Sequence, residues 1–314
     1  MRKVLISGMA GFIGMHTAIR FSKDWEVFGF DNFNPYYDPR LKTKRAEHLE
    51  EKYGIKTIRA DLTNPEDMYE LVGTIKPDLV IHLAAIAGVR YSMDNPQEYV
   101  DINITGTLNL IKACESQNVQ DVMYASTSCV MHENELPWNE HDKVGTQLSP
   151  YGYSKQVNEH MFHISKIPNA IGLRFFTVYG PWGRPDMALF DFTSKILDNK
   201  PIEVFNNGDM KRDFTYVDDI VSGLSIISQN MTNRDIYCIG NGTQVELMEF
   251  IKEIEETLGM NATKEFKPKH PADAKETWSD ITKIKQLGYD PKTPINIGVE
   301  KFVQWYRNYY GTNE

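Results

Sequence analysis

A glycine-rich turn between an apolar strand and a helix is the feature that most restricts the fold of this chain. The segment Gly8–Gly14 (Gly-Met-Ala-Gly-Phe-Ile-Gly) follows the apolar run Val4–Ser7 and opens a helical pattern over Phe12–Ser22. Such a turn can hold the pyrophosphate of a dinucleotide, because it presents backbone N–H groups at a helix N-terminus. Random loops also match a three-glycine pattern, so the acidic Asp31 at the end of the next strand is needed to support it.

Short apolar runs alternate with amphipathic stretches through the first half of the chain, which predicts a parallel sheet covered by helices on both faces. Ligands on such sheets bind beyond the carboxyl ends of the strands. We therefore expect an α/β fold with a Rossmann-type, doubly wound parallel sheet. Strands are predicted over Val4–Ser7, Val27–Asp31, Thr57–Ala60, Leu79–Leu83, Val122–Ala125 and Ala170–Phe175. Helices are predicted over Phe12–Ser22, Leu41–Tyr53, Pro65–Val72, Gln97–Ser116 and Tyr151–Ser165.

The alternation weakens after Phe176. A Gly/Pro-rich loop leads to a helix near Met187–Leu197, a return strand begins at Arg212, and a helix over Asp218–Ser228 rejoins the sheet. Residues from about 244 to 314 are predicted to be mostly helical. These patterns predict an NAD-binding domain of residues 1–176 plus about 212–241, and a smaller, mostly helical substrate domain of about 177–211 plus 242–314.

The composition argues against several classes of function. A net charge of −9 is unlike the basic character of nucleic-acid binders. No apolar run approaches the roughly 20 residues that span a bilayer, and the N-terminus enters a strand directly, unlike a signal peptide. The three scattered cysteines predict neither a disulfide framework nor a zinc site, and His160 and His163 lack a third metal ligand. We expect a soluble, cytoplasmic protein without a metal or a membrane partner.

The acidic residues at two strand ends favour NAD as the dinucleotide. Asp31 could accept hydrogen bonds from the adenosine ribose hydroxyls and would repel the 2′-phosphate of NADP. Its alternative role is that of a turn or capping carboxylate. Asp61, followed by Leu62, ends the third strand and could meet the adenine amine. Its alternative role is that of a helix N-cap before Pro65.

Tyr151 and Lys155 are spaced so that they share one face of a helix. A cationic lysine near a phenol favours the phenolate, as would a positive nicotinamide ring, so we expect the pKa of Tyr151 to be lowered toward neutrality. Thr127, in a turn after a strand, could hydrogen-bond the same substrate oxygen. These residues predict redox chemistry on a hydroxyl. The alternative is a core aromatic at Tyr151 and a solvated Lys155.

These motifs resemble those of extended short-chain dehydrogenases/reductases of the nucleotide-sugar epimerase group. The resemblance covers nearly the whole chain: the glycine turn, His82–Ala85, Asn103, the Ser/Thr turn, the Tyr/Lys pair and Arg212-Asp-Phe. It implies a catalytic trio of Thr127, Tyr151 and Lys155, with NAD as the cofactor. The cofactor-binding residues so predicted are Gly8, Gly11, Phe12, Ile13, Gly14, Asp31, Asn32, Asp61, Leu62, Leu83, Ala84, Ala85, Asn103, Tyr151 and Lys155.

Three longer segments are similar to those of UDP-glucuronate 4-epimerases: Gly172–Phe190, Ala87–Ser92 and the insert Asp31–Asp38. The similarity implies 4-epimerisation of UDP-glucuronate to UDP-galacturonate through a transient 4-keto sugar. The sequence departs from the family at Val130–His132, where Val-Tyr-Gly is usual. That tyrosine is not the catalytic base, so the departure bears on local packing or rate.

A uronic acid substrate needs a restraint on its carboxylate, because oxidation at C4 creates a β-keto acid that loses CO2 readily. Hydroxyls and a guanidinium suit a carboxylate, so Ser128, Thr177 and Arg184 are the candidate ligands. Alternatively, Arg184 is solvent-exposed and Thr177 only caps a strand. Contacts to the nucleotide diphosphate and its ribose are implied by resemblance for Arg90, Arg212 and Asp273.

Related enzymes differ after Thr127. Sugar 4,6-dehydratases have Thr-Asp-Glu and UDP-glucuronate decarboxylases Thr-Ser-Glu, whereas this chain has Thr127-Ser128-Cys129 and lacks the acid. GDP-fucose synthases have a cysteine there and a histidine where this chain has Trp182. The nearest rival functions are the decarboxylase and a 4-epimerase of another UDP-sugar. A non-catalytic NAD sensor, which usually loses the tyrosine or lysine, is a remoter one.

The resemblance also implies a homodimer, because the helices near 97–116 and 151–165 pair in dimers of this family. The expected small-molecule partner is a UDP-sugar.

Overall fold

The computed structural model describes residues 1–311. Its strands are β1 (Lys3–Ser7), β2 (Glu26–Asp31), β3 (Thr57–Arg59), β4 (Leu79–His82), β5 (Asp121–Thr127), β6 (Asn169–Phe175), β7 (Thr177–Tyr179), β8 (Ile202–Phe205), β9 (Lys211–Arg212), β10 (Phe214–Tyr216), β11 (Asp235–Ile239), β12 (Val245–Glu246) and β13 (Lys264–Lys267).

The α-helices are α1 (Phe12–Phe21), α2 (Pro39–Tyr53), α3 (Pro65–Ile75), α4 (Val89–Asp94), α5 (Pro96–Glu98), α6 (Thr107–Ser116), α7 (Pro150–Ile164), α8 (Ala188–Leu197), α9 (Val217–Ser228), α10 (Leu247–Leu258), α11 (Thr282–Lys285) and α12 (Ile295–Tyr310). A π-helical segment, Tyr99–Gly106, joins α5 to α6. The single helix predicted over Gln97–Ser116 is therefore divided into three helical segments. Within the described residues, no helix combines the length and apolar character needed to cross a membrane.

Seven parallel strands form the main sheet, in the order β11-β6-β5-β4-β1-β2-β3. The strand order reverses beside β1, which pairs with β2 on one side and β4 on the other. A reversal of this kind opens a crevice beyond the carboxyl ends of the strands. The predicted Rossmann-type, doubly wound sheet is confirmed, and the crevice positions the candidate site described below.

The two faces of the sheet are buried in separate hydrophobic clusters. Successive side chains along a strand point to opposite faces. In β1, Val4 and Ile6 join one cluster and Leu5 the other; in β4, Leu79 and Ile81 join the first and Val80 the second. Burial on both faces explains why these strands are continuously apolar in the sequence.

The structure differs from the prediction near Arg212, where one return strand was expected. Two short strands, β9 and β10, flank Asp213, and they pair with β12 and β7 rather than with the main sheet. The Asp213 carboxylate is fully buried and accepts hydrogen bonds from the backbone of Asn241, Gly242 and Ser279. These bonds tie this point of the chain to two distant loops, which interrupts the strand.

The sequence analysis did not predict β11, the seventh strand of the main sheet. It pairs only with β6 at the edge of the sheet. Its residues include Asp235 and Tyr237 beside three small or branched apolar ones, so its pattern is less apolar than that of the central strands. An edge position tolerates this composition because, within residues 1–311, no strand pairs with the outer side of β11, where the side chains of Glu140 and Lys283 bond to its backbone instead.

The C-terminal part of the chain contains less helix than predicted between α10 and α12. Residues 259–294 hold β13, which pairs with β8, and the four-residue α11. The predicted division into a cofactor domain and a substrate domain remains a prediction. Residues 312–314, the last three of the predicted substrate domain, lie outside the described part of the chain.

A buried ion pair connects α7 to the central strands. Arg174 on β6 donates through Nε and Nη2 to the two carboxylate oxygens of Glu159, both at 2.9 Å. Ser126 on β5 donates to Glu159 Oε1 at 2.6 Å. Arg174 and Glu159 are only 2% and 8% exposed. The network fixes the face of α7 that also bears Tyr151 and Lys155, since the three α7 residues are spaced four apart.

We predict that Glu159→Ala lowers the free energy of unfolding by about 3–5 kcal/mol, because it leaves the buried Arg174 guanidinium without its counter-charge. Urea-induced unfolding would measure the loss. Glu47→Ala is the matched control, since it breaks the solvent-exposed pair with Lys44. An equal, small change in both variants would show that the buried pair does not stabilise this interface.

Candidate active site

A cavity of about 330 Å³ opens at the carboxyl ends of the central strands. Most of the predicted site residues form its wall. They are Gly8, Gly11, Phe12, Ile13, Gly14, Asp31, Asn32, Leu62, Leu83, Ala84, Ala85, Thr127, Ser128, Tyr151, Lys155, Thr177 and Arg184. Asp61, Arg90, Asn103, Arg212 and Asp273 are not among the residues that line it.

The glycine turn forms one end of the cavity. Gly8 has a φ of 72°, and its N–H donates to the carbonyl of Phe30 at 2.8 Å. A Cβ on Gly14 would lie 2.1 Å from the carbonyl oxygen of Gly8, so this close approach requires glycine. At Gly11, the N-cap of α1, no side chain caps the helix, and the first turn has no acidic residue. The uncapped N–H groups fit a pyrophosphate.

The acidic residues near the turn lie in different surroundings. Asp31 is 6% exposed on the cavity wall, and its Oδ1 accepts the N–H of Phe33 at 2.8 Å. Asp61 lies behind the wall, where its carboxylate accepts hydrogen bonds from Asn32 Nδ2 and from the N–H and hydroxyl of Thr63. The N-cap of α3 is Asn64, so the alternative role of Asp61 as that cap is wrong. Of the two carboxylates, Asp31 is the one that lines the cavity.

Asn103 supports the cavity wall from outside it. Its side chain is fully buried in the π-helical segment. Its Oδ1 accepts the N–H of Ile86 at 2.9 Å, and its Nδ2 donates to the Ile86 carbonyl and to Ser154 Oγ, each at 3.0 Å. Asn103 thus holds the loop after β4 against α7 and cannot also contact a ligand in this arrangement.

Tyr151 and Lys155 face the cavity from the first turns of α7. The helix begins with Ser149 as N-cap, whose Oγ accepts the N–H of Gly152 at 3.2 Å, and with proline at the next position. Lys155 is 2% exposed, and its Nζ donates to the carbonyl of Ala125 at 3.1 Å. This placement contradicts the alternative of a solvated Lys155.

Burial shifts the pKa of Tyr151 in the direction opposite to the lowering expected from Lys155 and a nicotinamide ring. Burial raises the pKa of Tyr151 to about 12, against the opposing effects of Thr127 and Arg184. Burial lowers the pKa of Lys155 to about 8. Both shifts arise because an apolar cavity disfavours charge. Tyr151 is therefore protonated at neutral pH, and a bound cation would be needed to make it a base.

The turn after β5 places two hydroxyls in the cavity. Thr127 Oγ1 accepts the N–H of Cys129 at 3.3 Å, and Ser128 is 7% exposed. Burial raises the pKa of Cys129, which keeps it a thiol. The departure from the family pattern at Met131 falls in a separate hydrophobic cluster with Trp138. Neither Met131 nor His132 lines the cavity.

Thr177 and Arg184 also line the cavity. The Arg184 side chain is 20% exposed, so the alternative of a fully exposed arginine is wrong. Its Nε donates to Asp186 Oδ1 at 3.0 Å, and its Nη2 also reaches that carboxylate. The sequence analysis missed this pairing, because nothing in a Gly/Pro-rich loop indicates which carboxylate will face the arginine.

Arg90, Arg212 and Asp273 come together beyond the cavity wall. Arg90 Nη2 donates to Asp273 Oδ2 at 2.7 Å, and its guanidinium lies 3.7 Å from the centre of the Phe205 ring. Arg212 donates through Nη2 to the carbonyl of Ala274 at 2.8 Å. The cluster has two cations and one carboxylate, so its net charge suits an anionic ligand.

Sequence reasoning missed several wall residues from the segment after β2. Lys42, Tyr36 and Tyr37 all line the cavity. Lys42 is 9% exposed and donates to the carbonyl of Asn34 at 2.9 Å, and burial lowers its pKa. The length of the insert was the only signal for these contacts. No group of three or more His, Cys, Asp or Glu side chains able to hold a metal occurs within residues 1–311.

Comparison with known proteins gives consistent findings. Residues 4–240 match the NAD dependent epimerase/dehydratase family. Protein CapI of Staphylococcus aureus is 40% identical over 98% of this chain and 99% of its own length. A UDP-glucuronate 4-epimerase of Thermodesulfobacterium geofontis is 39% identical over 96% of this chain and 95% of its own length.

A solved structure extends the likeness to the fold. It is a UDP-glucuronic acid 4-epimerase from Bacillus cereus in complex with UDP-glucuronic acid and NAD. It is 35% identical to this chain with a TM-score of 0.91, and the match covers 98% of this chain and 100% of that one.

We predict that Lys155→Met stabilises the cofactor-free protein at neutral pH. Because the pKa of Lys155 falls from 10.5 unfolded to about 8 folded, the unfolded chain binds the proton more tightly. Lys155 therefore costs stability fully below pH 8, and the cost fades as the pH rises toward 10.5. Melting temperatures across this range should show a gain from Lys155→Met that shrinks with pH.

The control for this prediction is Lys52→Met, which removes an exposed lysine from α2. It should show no gain at any pH. If Lys155→Met lowered the melting temperature at neutral pH, Lys155 would instead be stabilised in its charged form by the folded protein.

Proposed function

Because the chain belongs to the NAD dependent epimerase/dehydratase family, we propose that it interconverts UDP-glucuronate and UDP-galacturonate by NAD-dependent epimerisation at C4 of the sugar. The observation that supports this most directly is the placement of Tyr151 and Lys155 beside the glycine turn, in one cavity with Thr177 and Arg184. Full-length similarity to UDP-glucuronate 4-epimerases agrees with it.

The residues of the cavity fit NAD. The uncapped N-terminus of α1 would receive the pyrophosphate, and the carboxylate of Asp31 would accept hydrogen bonds from the adenosine ribose while opposing a 2′-phosphate. Leu62 and Leu83–Ala85 would form an apolar part of the cavity wall against the cofactor. When bound, NAD would take the C4 hydride and return it to the other face of the sugar, and its cationic ring would favour the phenolate of Tyr151.

The proposed proton chemistry belongs to Tyr151, Lys155 and Thr127. Tyr151 Oη would take the proton of the C4 hydroxyl and later return it to the oxygen of the 4-keto sugar. Lys155 would favour the ionised phenol through its charge. Thr127 Oγ would orient the C4 oxygen by a hydrogen bond. Because burial raises the pKa of Tyr151, the nearby positive charges of Lys155 and the nicotinamide ring would be needed to make the phenol a base.

The substrate carboxylate would be held by Arg184 with the hydroxyls of Thr177 and Ser128. This contact would keep the bond to the carboxylate out of alignment with the ketone π system, which is the geometry for loss of CO2. Asp31 is the only Asp or Glu among the cavity-lining residues, all of which lie within the described chain. Position 129 is a cysteine, so the acid that UDP-glucuronate decarboxylases carry there is missing from the cavity wall.

Further contacts are proposed outside the cavity. Arg90 and Arg212 would bind the diphosphate, and Asp273 would meet the uridine ribose or orient the arginines. A homodimer through the helices near 97–116 and 151–165, and a cytoplasmic location, also remain proposals. The exposed apolar side chains of Val100, Leu108 and Tyr153 on these helices support the dimer.

The function is tested by incubating the purified protein with UDP-glucuronate and following the products by NMR. We expect UDP-galacturonate, with the same final ratio reached from either sugar and without added NAD. A UDP-pentose with released CO2 would favour the decarboxylase, and turnover of neutral UDP-sugars alone would favour another 4-epimerase. Bound NAD without turnover of any UDP-sugar would favour the sensor.

We predict that Tyr151→Phe lowers kcat by about a hundredfold to ten-thousandfold, as expected for the loss of a general base. The NAD content should be unchanged, because the ring still fills its place. Single-turnover assays with UDP-glucuronate and absorbance of the bound cofactor would check both points. Tyr153→Phe is the matched control, since that tyrosine lies on the same helix but is 55% exposed. Equal activity in both variants would contradict the role of Tyr151.

A further inference from the structure

The pairing of Arg184 leaves one of its nitrogens for a ligand. Nε and Nη2 both donate to the Asp186 carboxylate. No hydrogen bond from Nη1 is found in residues 1–311. Burial disfavours the charge on Arg184, but Asp186 raises the pKa of the arginine. The guanidinium is therefore cationic with one edge closed, and it can meet a substrate carboxylate through the remaining nitrogen.

Asp186 cannot by itself fix where Arg184 points, because the two residues are neighbours on one loop and would move together. The connection to the rest of the protein is made by Tyr36, 150 residues earlier in the chain. Its Oη donates to Asp186 Oδ2 at 2.8 Å. Tyr36 also lines the cavity, on the segment that follows β2. The hydroxyl thus links the wall near the cofactor site to the loop that bears Arg184.

Tyr36 is itself held in place from three sides. Its ring packs edge-on against Tyr91, with ring centres 4.8 Å apart. Its N–H donates to Asn34 Oδ1 at 2.8 Å. A Cβ on Gly88 would lie 2.0 Å from Tyr36 Oη, so the absence of a side chain at Gly88 makes room for the hydroxyl. Burial raises the pKa of Tyr36. The phenol therefore stays protonated and can donate its hydrogen bond to Asp186.

The start of the same loop is fixed by a second residue from this part of the chain. Arg45 on α2 is fully buried and donates through Nη2 to the carbonyl of Trp182 at 2.6 Å. Trp182 has a φ of 62°, which is strained for a bulky residue. Arg45 also donates to the carbonyl of Ala10 in the glycine turn. Arg45 thus holds the backbone of the loop, and Tyr36 holds the Arg184–Asp186 pair through its hydrogen bond to Asp186.

From this arrangement we propose that Tyr36 is a positioning residue that acts through Asp186 on Arg184 and so determines the preference for a uronate over a neutral sugar. The proposal rests on the proposed function and deepens it. Without the Tyr36 hydroxyl, Arg184 and Asp186 would keep their charges, but the orientation of the Arg184 side chain toward the cavity would no longer be fixed. The carboxylate contact would weaken, while Tyr151 would keep its position on α7 and the glycine turn would be unchanged.

The test compares Tyr36→Phe with the unchanged protein, both loaded with NAD. We expect the KM for UDP-glucuronate to rise about threefold to tenfold, the effect of losing one typical hydrogen bond, with little change in kcat. The Kd for UDP-glucose, measured by calorimetry, should not change. The preference for UDP-glucuronate over UDP-glucose should therefore fall by the same factor. More CO2 per turnover should also be released. Tyr91→Phe is the matched control, because it removes a neighbouring phenol hydroxyl that donates to Glu98.

Two further variants separate positioning from a general structural effect. Gly88→Ala should displace the Tyr36 hydroxyl and reproduce the loss of uronate preference. In an Arg184→Ala background, Tyr36→Phe should have no further effect, since the residue it positions is absent. An unchanged preference in Tyr36→Phe, or equal losses with and without Arg184, would overturn the proposal. Turnover of UDP-glucuronate by the unchanged protein tests the function separately.

Discussion

The close approach of two backbone segments at the glycine turn is the constraint on which the cavity depends. Gly14 lies so near the carbonyl of Gly8 that no side chain fits between them. A Cβ added to Gly8 would in turn lie only 2.9 Å from backbone atoms of Ala84. These contacts bring β1, α1 and the loop after β4 to one point. The uncapped N–H groups of α1 then face the space above the sheet, where an anion is stabilised.

The second constraint is the burial of charge on one face of α7. Lys155 and Glu159 are both nearly inaccessible to solvent, but only Glu159 has a counter-charge, which Arg174 supplies. Lys155 instead donates to a backbone carbonyl, and burial lowers its pKa. Burial therefore disfavours the charged form of this lysine in the folded protein. That arrangement is expected where binding of ligands, rather than folding, is to stabilise the charge.

Much of the fold and part of the site could be predicted because their signals are local in sequence. The continuous apolar strands, the glycine turn and the four-residue spacing of Tyr151 and Lys155 each lie within one short segment. Interactions between distant segments gave no such signal. The division of a predicted strand by Asp213 depends on partners near positions 241 and 279, and the link from Tyr36 to Asp186 spans 150 residues. The effect of burial on the pKa of Tyr151 has no local signal either, because burial is a property of the assembled cavity.

The segment after β2 joins the two sides of the cavity, which suggests how one fold can change substrate without changing its chemistry. Tyr36 contacts the loop that bears Arg184 from one direction, and Arg45 contacts its backbone from another. Neither contact involves the face of α7 that bears Tyr151. An alteration in this segment can therefore redirect Arg184, the proposed ligand of the substrate carboxylate, while Tyr151 and Lys155 stay in place. On the proposed function, specificity would reside in loops held by a rigid scaffold, and reaction type in the scaffold itself.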